Sequence, residues 1–211
     1  MSGVLIRILA ETRGLLRLGR LAGDQSGTAI VEFAVLLPVL LTLFIGSYET
    51  SNLLLAYMKL EAAAETAADL VGQTPVNTIL VDSGSSNGWD FSNITSAVQQ
   101  VMTPFPTTSL QVSYASITYS TGSAVIDWHK ETTGATAITV GALPGGATAT
   151  TMGTAATGSN DSIVAVKVVY SYTSPLSSYF NSDYVLTEWA YNRPRYVSCV
   201  PYAGANSGVC P

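Results

Sequence analysis

The stretch from Gly27 to Tyr48 reads GTAIVEFAVLLPVLLTLFIGSY, and it decides the fold of this 211-residue chain. The residues after Gly27 in this stretch contain one charged side chain, that of Glu32. A helix of about 20 apolar residues crosses the ~30 Å hydrocarbon core of a bilayer. We therefore predict a membrane span at about 28–48. A carboxylate within such a span is costly to bury, which makes Glu32 a candidate functional residue.

Charge is unevenly distributed around the predicted span. Residues 1–27 carry four arginines against two acidic residues, a net charge of +2. The whole chain carries −5, so residues 28–211 carry −7. Because positive flanks of membrane spans stay in the cytoplasm, this pattern predicts a cytoplasmic N-terminus and an extracytoplasmic C-terminal part. An acidic body of this kind argues against nucleic acid as a partner.

Residues 1–27 read as a basic leader peptide with an unusual order of signals. A secretory signal places its small-residue cleavage site after the apolar core. Here the small residues Ser26 and Gly27 precede the core. Cleavage at Gly27 would therefore leave the apolar helix on the mature protein. The alternative is a signal anchor that is never cut.

The residues around Gly27 resemble the prepilin peptidase site of type IV-type pilins. Thr28 follows the glycine, and Glu32 and Phe33 take the fifth and sixth positions of the predicted mature chain. The longer run, with Leu37-Pro38 in its middle, resembles the N-terminus of TadE-like pseudopilins, the minor pilins of the Tad (Flp) pilus system. The resemblance implies that prepilin peptidase cuts between Gly27 and Thr28. It also implies that the apolar helix then packs with other pilins and Tad assembly proteins.

Looser matches to TadE-like sequences occur near the end of the chain. They are the strand-like runs 168–170 and 186–190, a connection at 175–176, and the Arg-Pro-Arg of residues 193–195. Arg193 and Arg195 are predicted to pair with carboxylates of their own domain. The alternative is pairing with acidic residues of another subunit.

Glu32 acquires a specific role if the chain is processed. The new amine of Thr28 would be a cation near the membrane surface, and an unpaired carboxylate nearby would be costly. Pairing of Glu32 with the amine of a neighbouring subunit would favour one axial register. The alternative is that Glu32 reaches towards the interface from the end of an uncut anchor. Within the span, Pro38 predicts a kink or a locally melted turn.

The helical pattern continues beyond the membrane, so we predict one helix over 28–71. An apolar stripe recurs at three- and four-residue steps, and Gly72 and Pro75 mark its end. The stripe consists of Leu53, Tyr57, Leu60, Ala64, Ala67 and Val71. Glu61, Glu65 and Asp69 form an acidic stripe at four-residue spacing. We interpret that stripe as a solvated face, with docking of a basic partner as the alternative.

Residues 72–211 are predicted to form a small extracytoplasmic domain, which makes the fold class α+β. A short helix is expected over about 93–102, capped by Asp90 or Ser92. Runs of β-branched and aromatic residues with period two then predict an antiparallel sheet of four strands. The runs begin at 110, 124, 163 and 184. The segment 132–160, rich in Thr, Ala and Gly, is expected to be a surface excursion with a hairpin around residues 144–146.

The two cysteines, Cys199 and Cys210, lie near the end of the chain. In an exported domain they predict a disulfide that closes a short loop, which contributes roughly 3 kcal/mol in the chain-entropy model. With one histidine in the chain and no CxxC motif, no metal site is predicted.

No catalytic motif is recognisable, and no cofactor is predicted. His129 lies between Asp127 and Lys130, but the chain lacks the Gly-x-Ser-x-Gly motif of serine hydrolases. The resemblance to TadE-like pseudopilins instead implies a non-enzymatic minor pilin, anchored in membrane lipid of the bacterial inner membrane and needed for assembly of a Tad pilus, whether at its tip, along its shaft or in the assembly platform. The nearest alternative is an uncleaved, signal-anchored binding module or adhesin. A tethered hydrolase that uses His129 is the remote one.

Overall fold

A computed structural model describes residues 26–120, 123–144, 161–175, 177 and 183–204. The chain forms two compact units, Met1–Thr50 and Ser51–Pro211, and each is described by itself. Three parts of the sequence predictions lie outside the described residues. These are the leader up to residue 25, most of the excursion from residue 145 with its hairpin, and Cys210.

Helix α1, Ser26–Gly72, confirms the long N-terminal helix. Its ends lie two residues before and one residue after the predicted bounds. The helix runs through Pro38 without a melted turn, and the kink at this position stays a prediction. The C-terminal end is closed by the backbone N–H of Gln73, which donates to the carbonyl oxygen of Asp69 at 3.0 Å.

The C-terminal half of α1 packs on the sheet through small side chains. Ala56, Leu60, Ala63, Ala64, Ala67, Ala68 and Val71 are buried in the main core. The alanine side chains on this face are almost completely buried. The predicted apolar stripe is correct from Leu60 to Val71 but wrong at Tyr57, which is 42% exposed. Tyr57 is amphipathic, and its hydroxyl bonds the carboxylate of Glu188.

Helix α2, Phe91–Val101, begins two residues before the predicted start. Its N-cap is Asp90, one of the two predicted candidates, and the Asp90 carboxylate accepts from the backbone N–H of Asn93 at 2.7 Å. Phe91, Ile94 and Val98 are buried at helical spacing and join the main core. The cap and the amphipathic pattern together explain why this short segment is helical.

The four predicted strands form one antiparallel sheet of order β2-β1-β3-β4. The strands are β1 Leu110–Ser120, β2 Ser123–Glu131, β3 Asp161–Thr173 and β4 Asp183–Asn192. Alternate residues face opposite sides, since Val112 and Tyr114 face the helices whereas Ala115 and Ile117 face away. Strands β2 and β4 are the edges of the sheet.

The second face of the sheet has a core of its own. Ile138 and Leu143, from the first part of the Thr/Ala/Gly-rich segment, are buried on it together with Ile117 and Ile163. The prediction that this segment is a surface excursion is therefore wrong at Ile138 and Leu143, whereas residues 139, 141 and 142 are exposed. Two apolar side chains, presented by a segment with a short 3-10 turn at Val140–Ala142, are enough to cover the middle of a small sheet.

The segment after β4 returns to the body of the domain. Leu80 forms a bridge to Tyr202, with its backbone N–H donating to Pro201 and its carbonyl oxygen accepting from Ala203, both at 2.9 Å. Cys199 and Val200 are buried. The C-terminal segment is thus part of the folded domain up to residue 204.

Candidate assembly surface

The first half of α1 presents a continuous apolar surface. Every side chain from residue 27 to residue 50 is exposed except those of Ile45 and Glu49. Phe33 is 58% exposed and Phe44 is 70% exposed. An exposed apolar surface of this extent is unfavourable in water and requires lipid or protein to cover it. Among the helices of the described residues, α1 is the one that is long and apolar enough to cross a membrane.

Hydroxyl groups within this surface satisfy their hydrogen bonds inside the helix. Thr42 donates to the carbonyl oxygen of Val39 at 2.8 Å, Ser47 to Phe44 at 2.9 Å and Thr50 to Gly46 at 2.8 Å. Backbonding of this kind removes the cost of placing a hydroxyl in hydrocarbon. The carboxylate of Glu32 is therefore the main polar obstacle to burying the segment 28–48.

The predicted processing site lies in the first turns of α1. Gly27 is open to its surroundings, because a Cβ atom added there would meet no other atom within 4 Å. Glu32 and Phe33 are both exposed. Thr28 and Glu32 are four residues apart in one helix, so their side chains share a face. This spacing places the Glu32 carboxylate one turn from the position where cleavage would create an amine.

The comparisons with known proteins identify the same segment. Residues 27–69 match the family model described as TadE-like protein. This part of α1 is similar to that family. The match begins at Gly27 and ends in the buried half of α1, which agrees with the resemblance drawn from the residues themselves. No curated protein and no solved structure matches the chain. The similarity to TadE-like proteins therefore rests on α1 alone, and none of the comparisons matches the sheet that follows it.

The acidic stripe of α1 is paired at one end. Arg195 forms an ion pair with Asp69, and the side-chain amide of Asn192 donates to the same carboxylate oxygen at 3.0 Å. The prediction that the arginines after β4 pair within their own domain is confirmed for Arg195. The backbone N–H of Arg195 also donates to the carbonyl oxygen of Gly72 at 2.9 Å. This segment thus links β4 to the end of α1.

Sequence reasoning missed a second acidic group beside that stripe. Glu188, on β4, faces α1, and the hydroxyl of Tyr57 donates to it, which raises the pKa of Tyr57. Glu188 and the stripe residues Glu61 and Glu65 line one groove between helix and strand. Side chains alternate between the two faces of the sheet along β4, and Leu186 and Ala190 belong to the main core. Their spacing could have placed Glu188 on the same, helix-facing side.

The described hydrogen bonds of Asp127 and His129 join each side chain to other residues and not to one another. The register between β1 and β2 shifts at a bulge beside Asp127, since Ser116 pairs with Trp128 and Ile117 with Ile126. The buried Asp127 carboxylate accepts hydrogen bonds from Thr118 at 2.7 Å and from Ser116 at 3.1 Å. Burial raises the pKa of Asp127.

The ring of His129 has a different partner. Its Nδ1 atom lies 2.7 Å from a carboxylate oxygen of Glu131, at an exposed position. Among the described contacts of the His129 side chain, none is to a serine or an aspartate, as a Ser-His-Asp arrangement would need. Among the described residues, no group of three or more His, Cys, Asp or Glu side chains is placed to hold a metal ion.

Cys199 lies in the core next to the Asp127 cluster. Its Sγ atom is 3.5 Å from the Asp127 carboxylate and 3.7 Å from the hydroxyl oxygen of Ser116. Its predicted partner Cys210 lies outside the described residues. The Cys199–Cys210 bridge accordingly stays a prediction.

Proposed function

We propose that this chain is a minor pilin, or pseudopilin, needed for assembly of a Tad (Flp) pilus. The observation that carries the proposal is the TadE-like match over residues 27–69, which includes the exposed apolar first half of α1. A helix of this kind is suited to two environments in turn, lipid before assembly and other pilin helices after it. The proposed role requires binding and polymerisation, and no catalytic step.

Processing by prepilin peptidase would convert the precursor into an assembly unit. The peptidase would cut the bond between Gly27 and Thr28 at the cytoplasmic side of the inner membrane. The positive leader and the acidic remainder support this orientation, with the sheet domain in the periplasm. An open glycine at the start of the helix supports access to the scissile bond. An uncut signal anchor that displays a binding module or adhesin is the competing account.

Glu32 would then select the register of assembly. Within an apolar bundle, an unpaired carboxylate is strongly unfavourable, and an amine at Thr28 of a neighbouring subunit provides its partner. An axial register in which Glu32 meets no amine is unfavourable. The ion pair would therefore select one register as well as hold the subunits together. The exposure of Glu32 in the single chain leaves its carboxylate available for that partner.

The Glu32→Ala variant tests this function in cells that produce the Tad system. We expect the variant to insert in the membrane at the normal level, but to be lost from complexes co-purified with the other pilins. The matched control is Glu131→Ala, which removes a carboxylate from the sheet domain, where it pairs with His129. Recovery of the Glu32→Ala variant in those complexes at the level of the control would contradict the proposal.

A further inference from the structure

A groove of about 680 Å³ lies between α1 and the edge strand β4, within the unit Ser51–Pro211. Glu61, Glu65 and Asp69 line its helix side, and residues 188–192 line its strand side. The helix and the strand run side by side here. Tyr57 bonds Glu188 near one end of the groove, and Asp69 bonds Asn192 near the other.

The strand side of this groove ends at a free sheet edge. Among the described strands, β4 pairs with β3 and with no other strand. A strand in this position presents backbone N–H and C=O groups along its outer edge, and these groups can pair with an added strand. Tyr184 and Val185, at the start of β4, are 47% and 67% exposed. The edge is therefore accessible at least at the start of β4.

The charge of the groove indicates which segment would fit. Glu61 and Glu65 are exposed, and no described ion pair involves them or Glu188. At the end of the same stripe, Asp69 is already paired with Arg195, which the segment after β4 carries across to the helix. The chain itself thus demonstrates that an arginine arriving from the β4 side reaches a carboxylate of α1.

The spacing of the groups also matches an extended chain. Two helix residues four positions apart are displaced by about 6 Å along the axis. Alternate residues of a strand lie about 6.6 Å apart on one face. An added strand with cationic side chains at alternate positions would therefore place successive charges opposite Glu65 and Glu61.

We propose that this groove binds an extended basic segment of a partner protein, which adds to β4 as a further strand. Its arginine or lysine side chains pair with Glu61 and Glu65, and its backbone pairs with the outer edge of β4. The inference concerns the sheet domain and does not depend on cleavage at Gly27. A failure of the processing experiment would leave it intact, and its own failure would leave the pilin proposal intact.

Binding of labelled peptides to the full chain in detergent micelles tests the proposal. The probe is a peptide of alternating arginine and valine, and its fluorescence anisotropy reports binding. One control peptide has glutamate in place of arginine. A second control carries N-methyl groups on alternate backbone nitrogens along one edge, which keeps the charge but prevents strand pairing. We expect the arginine peptide to bind and both control peptides to bind at least about tenfold more weakly.

Protein variants separate this groove from the general negative charge of the domain. The double variant Glu61→Gln/Glu65→Gln should weaken binding of the arginine peptide by about tenfold, whereas Glu131→Gln on the opposite edge strand should leave it unchanged. Equal binding by both variants would overturn the proposal, as would absence of binding to the unmodified protein. Equal binding of the N-methylated peptide would also overturn it, because attraction would then be purely electrostatic. Binding of the glutamate peptide as tightly as the arginine peptide would exclude a basic occupant.

Discussion

The indole N–H of Trp128 donates to the carbonyl oxygen of Val200 at 2.6 Å in the core of the domain. This bond joins the edge strand β2 to a segment that follows the whole sheet in sequence. Trp128 also packs edge-on against Phe91 of α2, with ring centroids 5.6 Å apart. One side chain thus links the sheet, the short helix and the C-terminal segment.

Replacing Trp128 with Phe should destabilise the domain measurably. The change removes the indole hydrogen bond to the buried carbonyl group of Val200 and creates a cavity, and together these cost about 2–4 kcal/mol. Thermal unfolding of the full chain in detergent, followed by near-ultraviolet circular dichroism, measures the effect. The control is Tyr184→Phe at an exposed position of β4. Equal melting temperatures for the two variants would show that the bond to Val200 contributes little.

The buried face of α1 should not tolerate a larger side chain. Ala64 is 1% exposed and packs in the main core, whereas its neighbour Ala62 is exposed. Ala64→Leu should lower the free energy of unfolding by about 1–3 kcal/mol through overpacking. Ala62→Leu makes the same chemical change on the outer face and should be nearly neutral. Chemical denaturation of both variants provides the comparison, and similar midpoints would argue against tight packing at Ala64.

Asp127 should give the domain a distinctive dependence on pH. Burial raises the pKa of this carboxyl in the folded state above its value in the unfolded chain. The folded state therefore holds the proton more tightly. The resulting stabilisation is fully present below the unfolded pKa of about 3.9, and it is lost as pH rises through the folded pKa.

The Asp127→Asn variant isolates that contribution. The amide oxygen can still accept from Thr118 and Ser116, but the residue no longer titrates. We expect the stability of the unmodified protein relative to the variant to be greatest at acidic pH and to decline towards neutral pH. Melting temperatures recorded across this interval test the expectation. Parallel curves for the two proteins would show that Asp127 titrates alike in the folded and unfolded states.

The predicted Cys199–Cys210 bridge has a direct test in peptide mapping. Digestion without reducing agent should yield one peptide pair joined through the two sulfur atoms, which reduction separates. Cys210→Ser should lower the stability of the C-terminal segment by roughly 3 kcal/mol, as expected for a loop of this length. Detection of two free thiols in protein exported under oxidising conditions would show that the bridge does not form.

Periodicity alone was sufficient for the architecture of this chain. The apolar run from Gly27, the three- and four-residue steps up to Val71, and the period-two runs after residue 110 predicted the long helix and the four strands. The predictions failed where tertiary contacts decide the environment. Tyr57 has the spacing of a core residue, but its hydroxyl bonds Glu188, and Ile138 is buried although the sequence around it is polar and small.

The candidate site divides in the same way. Gly27, Glu32 and Phe33 were recognisable because their local spacing carries the TadE-like pattern. The groove lined by Glu61 and Glu188 was not recognisable, because it exists only when α1 lies beside β4. The buried group around Asp127 likewise depends on a bulge, which no feature of the sequence marks. Local signals therefore predict the long apolar helix, whereas the groove and the buried group depend on long-range contacts.

The central claim is that the precursor is cut between Gly27 and Thr28, and the N-terminus of the membrane-bound protein tests it most directly. Mass spectrometry of protein recovered from membranes, with the matching prepilin peptidase either present or absent, provides the measurement. The account predicts a chain that starts at Thr28 when the peptidase is present and an intact leader when it is absent. An intact leader in both samples would contradict it, and the chain would then be an uncleaved, signal-anchored binding module.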